Sequence, residues 1–237
     1  MQVNIVTPVF ILDSCKNENI RKNDIKRLKL LVDKNNNLLT IKYLEGNMKD
    51  NVRNNIKDII NSNTFHLEQV YTLEKEKGID ILYVAVTNIE NIKKLDDNYK
   101  LVDFKIEANK LIILDDNKYT YKTKEVIKNN NVEYIHEIKT DDEEIANKLL
   151  EILICYKKIR SNIDNTDILF KFQGKTFTLE DLRMTYELIK DIEVDKSNFR
   201  KKVVKYCRKI EDKKEDKNGF RPSSKYEFIP LKGDIWL

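Results

Sequence analysis

The spacing of apolar residues changes once along this chain, and that change constrains the fold more than any other feature. Up to about residue 138 the apolar side chains form short runs or alternate with polar ones, at Val3–Leu12, Leu28–Asp33, Leu38–Leu44, Phe65–Leu73 and Ile79–Thr87. Stretches of that length and period read as strands. Asn- and Asp-rich punctuation such as Asp33-Lys34-Asn35-Asn36-Asn37 separates them. Two further short strands are expected on either side of a hairpin tip at Asp115-Asp116-Asn117. One helix interrupts the series. In KDNVRNNIKDIINS, Val52, Ile56, Ile59 and Ile60 repeat at i, i+4, i+7 and i+8, so one face is buried. A mostly β region with an inserted helix is an α+β domain.

Beyond residue 140 the period becomes helical. TDDEEIANKLLEILICYKKIR has Asp141 or Asp142 to cap its start, acids in its first turn, and Lys157, Lys158 and Arg160 near its end. Both ends thus match the helix dipole. Ile145, Leu149, Ile152, Tyr156 and Ile159 form one stripe, and Ala146, Leu150 and Leu153 a second. Two stripes fit a core helix of the first domain, and equally a helix between domains or at a dimer interface. The chain loosens at Ser161–Asp167. The expected organisation is residues 1–140, a connecting or dimerisation helix at 141–160, and a second domain at 161–237.

Net charge is only +4, from 44 basic and 40 acidic residues, so any case for a polyanionic partner must come from clustering. The three cysteines, Cys15, Cys155 and Cys207, form no CxxC, which excludes a zinc ribbon and favours reduced cytosolic thiols. No apolar run approaches membrane-spanning length, and no signal peptide is recognised, so a cytoplasmic protein is expected. No glycine-rich phosphate loop is present among the five glycines, and no cofactor or metal is expected. His66 and His136 read as structural or surface residues.

The clustering is at residues 196–209, which hold seven Lys or Arg and no Asp or Glu. Before them, Thr178 can cap a helix, with Asp181 completing a capping box, and Leu179, Leu182, Tyr186 and Ile189 form its apolar stripe. Asp191-Ile192-Glu193 is a short connection. Asp195 is a second cap, and Val194 can staple against Phe199. Two short helices so joined are a helix-turn-helix. On the second helix, expected to run to Ile210, Phe199, Val203, Tyr206 and Ile210 share the buried side. Ser197, Lys201, Lys205 and Arg208 lie opposite, flanked by Asn198 and Arg200. Arg pairs with guanine and Asn with adenine, while Lys meets phosphate. Lys196, Ser197, Asn198, Arg200 and Lys201 are therefore expected to face the groove. Asn218-Gly219 signals a hairpin that would form a wing, and Arg221 near its tip joins Lys205 and Arg208 in touching the DNA backbone. A basic amphipathic helix alone is more often simply solvated; cap, staple, turn, polar face and wing in order favour DNA.

FTLEDLRMTYELI, DKSNFRKKV and FRPSSKYEF together resemble the winged helix of the NrtR-type Nudix-related transcriptional regulators, over about residues 161–229. The family usually has Gly directly before Arg-Pro, where this chain has Phe220. The resemblance implies a Nudix-like α/β/α sandwich domain followed by a winged helix-turn-helix. It also implies a homodimeric regulator, expected to be a repressor, on a palindromic operator. Its effector would be an ADP-ribose-like nucleotide or a sugar derivative.

FHLEQVYTL (Phe65–Leu73) resembles the strand after the Nudix helix, which places that helix on the inserted one. A working Nudix box would then put its Arg-Glu pair on Asn54 and Asn55 and its two acids on Asp58 and Ile59; only Ile56 and Asp58 fit. Diphosphate hydrolysis needs clustered carboxylates to hold divalent metal. The domain is accordingly expected not to be an enzyme. Two alternatives stay open: a nucleotide diphosphate hydrolase with a rearranged metal site, and a winged helix that contacts an acidic protein.

Overall fold

The computed structural model describes residues 2–15, 25–43, 45–75, 78–108, 110–128, 131–210 and 224–229, without the side chains of 15, 127, 128 and 131–134. Ten strands form one mixed sheet, consisting of β1 (Gln2–Thr7), β2 (Val9–Cys15), β3 (Ile25–Asp33), β4 (Leu39–Lys42), β5 (His66–Lys75), β6 (Gly78–Asn88), β7 (Tyr99–Glu107), β8 (Leu111–Leu114), β9 (Asn117–Lys128) and β10 (Asn131–Lys139). Their order is β10-β9-β8-β7-β3-β2-β6-β1-β4, with β5 also on β6.

The run Val3–Leu12, expected as one strand, is divided at Pro8 into β1 and β2. Both pair in parallel with β6, but on their other edges β1 takes β4 and β2 takes β3. Proline cannot donate to a ladder and so marks the place where the partner changes. The hairpin tip falls on Asp115-Asp116, both with positive φ (48° and 66°), between Leu114 and Asn117. Two left-handed residues are what a type I′ connection requires, and Asp adopts that conformation more readily than most residues.

Helices cover both faces. Helix α1 (Met48–Ile60) is capped by Asn47 and buries Val52, Ile56, Ile59 and Ile60, the four positions given by its spacing, against Ile5, Ile11, Leu31 and Leu67. On the opposite face lies α2 (Glu143–Asn162), capped by Asp142, whose side chain accepts the Ile145 N–H at 3.0 Å. Leu149, Ile152, Leu153, Tyr156 and Ile159 of α2 are buried in a core that includes Phe10, Phe104 and Val84 from the sheet.

That same core continues into the last part of the chain through Phe172, Leu182, Ile189, Phe199 and Val203. Polar ties reinforce it. Tyr156 donates its hydroxyl to the Ile189 carbonyl (2.8 Å), Asn88 its amide to the Phe172 carbonyl (2.8 Å), and Arg160 to the Lys190 carbonyl. The first stripe, with Leu153 from the second, thus serves the sheet and the C-terminal helices together, while Ala146 and Leu150 are only half-buried.

Lys26 of β3 forms an ion pair with Asp181 at 2.9 Å. Burial raises the Asp181 pKa, but hydrogen bonds from Lys26 and Thr178 more than offset it and leave the carboxyl below its usual range. A depressed folded pKa contributes stability that is present above the unfolded value, about 3.9, and is lost as pH falls through the folded one. We expect Asp181→Asn to cost about 1–2 kcal/mol at pH 7 and to flatten the fall in stability below about pH 4. Urea unfolding at a series of pH values checks both.

Candidate nucleic-acid interface

The interface is built on three short helices and two strands. Helix α3 (Ile168–Lys171) is followed by α4 (Leu179–Lys190) and α5 (Lys196–Val203), and strand β11 (Cys207–Ile210) pairs with β12 (Lys225–Phe228). Phe177 adds a bridge to Tyr226, with N–H to carbonyl distances of 3.0 and 2.8 Å, which turns the pair into a small three-stranded edge. Phe170 stacks on Phe228 (centroids 4.4 Å apart) and meets Tyr206 edge-on at 6.3 Å. These rings fix the strands to α3.

Capping determines how the two main helices meet. The Thr178 hydroxyl accepts the Asp181 N–H (3.0 Å) while the Asp181 carboxylate accepts the Thr178 N–H (3.0 Å), the reciprocal box expected from sequence. Helix α4 ends at Asp191, whose φ of 53° is left-handed and returns its N–H to the Glu187 carbonyl. The Glu187 carboxylate then accepts the Val194 N–H at 2.9 Å and pairs with Arg183, which braces the connection. Asp195 caps α5 by accepting the Asn198 N–H at 2.8 Å. Val194 and Phe199 pack into the same core, and the Phe199 ring lies 5.4 Å from that of Tyr186.

With Phe199 and Val203 buried, α5 must present its other side outward. Lys196, Ser197, Asn198, Arg200 and Lys201 are all exposed. Lys196 makes an ion pair with Glu180 at 3.3 Å, whereas neither Arg200 nor Lys201 makes one among the described residues. On the Asn198 flank a cleft of about 640 Å³ runs between α5 and α4, lined by Lys201, Lys202 and Lys205 on one side and Tyr186 and Asp164 on the other. Tyr186 donates its hydroxyl to Asp164 at 2.7 Å; burial, and then Asp164 itself, push that phenol up to about 12. Lys202 is not marked out by the sequence, because its wheel position lies beside the buried stripe, yet it is exposed on the cleft wall.

Two expectations require correction. Helix α5 stops at Val203 and does not continue to Ile210. Val204–Tyr206 form one 3-10 turn, and Cys207–Ile210 are strand. Lys205 is therefore on that turn, exposed, with its ammonium 4.8 Å from the Tyr206 ring centre. Arg208 is on a strand, not on the helix, and forms an ion pair with Glu227 across the ladder. Tyr206 is buried as expected, because its position points inward in either conformation. The Asn218-Gly219 tip and Arg221 lie outside the described residues.

The inserted helix of the sheet domain carries two carboxylates. Asp50 and Asp58 are both exposed on α1, and no three His, Cys, Asp or Glu side chains among the described residues gather as a metal site. Among the described residues no helix is long and apolar enough to cross a membrane.

Residues 169–228 match the family model for the NrtR DNA-binding winged helix domain. They form an NrtR-type winged helix. No curated protein matches the chain. Among solved structures, a MutT/nudix family protein from Enterococcus faecalis is similar over 95% of this chain and 88% of its own, at 18% identity and a TM-score of 0.61. Shewanella oneidensis NrtR complexed with a 27mer DNA is similar over 95% and 93%, at 11% identity and a TM-score of 0.60. A second structure of Shewanella oneidensis NrtR gives 96% and 94%, at 11% and 0.61. The fold is thus shared along nearly the whole chain, with a Nudix-like domain ahead of the NrtR-type winged helix.

Proposed function

We propose that this protein is a DNA-binding transcriptional regulator. Its C-terminal region (161–237) binds duplex DNA, 141–160 connects and dimerises, and residues 1–140 form a non-catalytic Nudix-like sensor. The observation that carries this reading is the outward face of α5. Ser197, Asn198, Arg200 and Lys201 are exposed on the second helix of a helix-turn-helix, which supports reading them as the groups that would meet base edges. The complex of Shewanella oneidensis NrtR with a 27mer DNA supports it, since that protein shares this fold.

As a homodimer, two such helices would read a palindromic operator with half-sites one helical turn apart or a multiple of that. Repression follows if the operator overlaps a promoter, and the effector would be an ADP-ribose-like nucleotide or a sugar derivative. The reading of the first domain as non-enzymatic rests on α1, which carries Asn54 and Asn55 where hydrolysis would need an Arg-Glu pair.

Lys205, with Arg208 and Arg221, meets the DNA backbone in this reading. Lys205→Ala is expected to weaken binding to all duplexes alike and to flatten the slope of log affinity against log salt by about one. Fluorescence anisotropy with labelled duplexes over a salt series reads both quantities. A wild-type protein with no salt-dependent affinity for any duplex would contradict the regulator reading itself.

A further inference from the structure

Of the ten residues from Lys196 to Lys205, only Phe199 and Val203 are buried. Seven of the other eight are Lys, Arg, Ser or Asn; the eighth is Val204, 39% exposed. The 3-10 turn begins at Val204, but its torsions (φ −59°, ψ −30°) are still helical. The geometry of α5 therefore carries through it. Val204 stands on the same side as Arg200 and Lys201, four and three residues before it. A single exposed valine on a protein surface needs no explanation. This one stands on the face assigned to the DNA groove, among hydrogen-bonding and charged neighbours, and it belongs to neither apolar core.

The chemistry of the groove decides what such a side chain can meet. Purines offer N7 with a carbonyl or an amino group, and cytosine offers an amino group; thymine alone adds a methyl, at C5. An isopropyl group set against a polar base edge displaces water and returns no hydrogen bond, which costs free energy. Set against the methyl, it takes apolar surface of both partners out of water, which is favourable. Cytosine, the other pyrimidine, has only hydrogen at C5 and gives less contact.

We infer that Val204 selects a thymine, by packing its side chain on the C5 methyl in the major groove. The inference rests on the regulator reading and deepens it. Arg200 and Lys201 bond polar base edges one turn earlier, and Val204 adds a position read by shape and not by hydrogen bonds. The buried neighbours Val203 and Tyr206 hold the turn in place, so Val204 is presented without help from its own side chain.

Deoxyuridine differs from thymidine by that methyl alone and so isolates the contact. The experiment is fluorescence anisotropy of the full chain on the duplex that the wild type enriches from genomic fragments, with each thymine replaced in turn by deoxyuridine. Replacing at least one thymine in each half-site should weaken wild-type binding about fourfold, the affinity equivalent of one buried methyl. Val204→Ser should bind the unmodified duplex more weakly and treat the thymine and deoxyuridine forms alike, within about 1.5-fold. Val204→Ile should keep the wild-type difference. Both variants should melt within about two degrees of the wild type, because the side chain lies outside both cores. Two results would overturn the inference: no thymine whose methyl matters to the wild type, or a methyl effect that persists undiminished in Val204→Ser. Either one leaves the regulator reading standing, because the unmodified duplex is still bound. A wild type that binds no duplex would remove both.

Discussion

Arg200→Glu combined with Lys201→Glu should abolish operator binding and leave the fold intact. Both side chains are exposed on α5, and among the described residues neither makes an ion pair. Nothing in the core depends on them. Removing one side chain that bonds a base edge costs about 1–3 kcal/mol, and each glutamate adds repulsion against nearby phosphates. At 1.4 kcal/mol per tenfold change, the affinity should fall by at least ~10³-fold. Thermal unfolding run beside the binding assay separates this from damage to the domain, since the melting temperature should stay within about two degrees. A reduction smaller than about tenfold, with the fold intact, would mean that this face is not the one that meets DNA.

Phe199→Ala should remove binding by the opposite route, since its side chain is buried beneath the outward face of α5. The ring is 6% exposed and packs against Tyr186 in the core shared by the winged helix and the sheet. Truncating a buried phenylalanine costs about 3–5 kcal/mol, through reduced burial and the cavity left behind. That is a large share of the 5–15 kcal/mol typical of a whole domain. Phe199→Leu keeps most of the volume and should cost less than about 2 kcal/mol. Urea unfolding of the three proteins gives the ordering. An alanine variant as stable as the leucine one would show that Phe199 is not the residue that seats α5.

Features decided locally were legible in the sequence. A cap acts within one helical turn, so residue types and spacing suffice to place Thr178 with Asp181, and Asp195, and to narrow the α2 cap to Asp141 or Asp142, of which Asp142 serves. The buried face of α1 was legible for the same reason. The end of α5 was not. Phe199, Val203, Tyr206 and Ile210 keep helical spacing, so the segment reads as one continuous helix. What decides otherwise is β12, whose Glu227 and Lys225 lie opposite Arg208 and Ile210 from further along the sequence. A ladder formed at that separation leaves no periodic signal in the segment itself.

Strand β7 does alternate, with Val102, Phe104 and Ile106 buried between exposed Asp103 and Lys105, whereas β10 owes its place to one long hairpin with β9.

The central claim is that the outer side of α5 enters a groove and reads bases there. Selection of genomic fragments by the wild-type protein and by Arg200→Ala, followed by sequencing of what each retains, tests it most directly. The wild type should enrich a two-fold symmetric site. Arg200→Ala should enrich the same site with preference relaxed at one base pair in each half, a cost of about 1–3 kcal/mol. Identical preferences in the two proteins, or no enriched sequence in either, would contradict it.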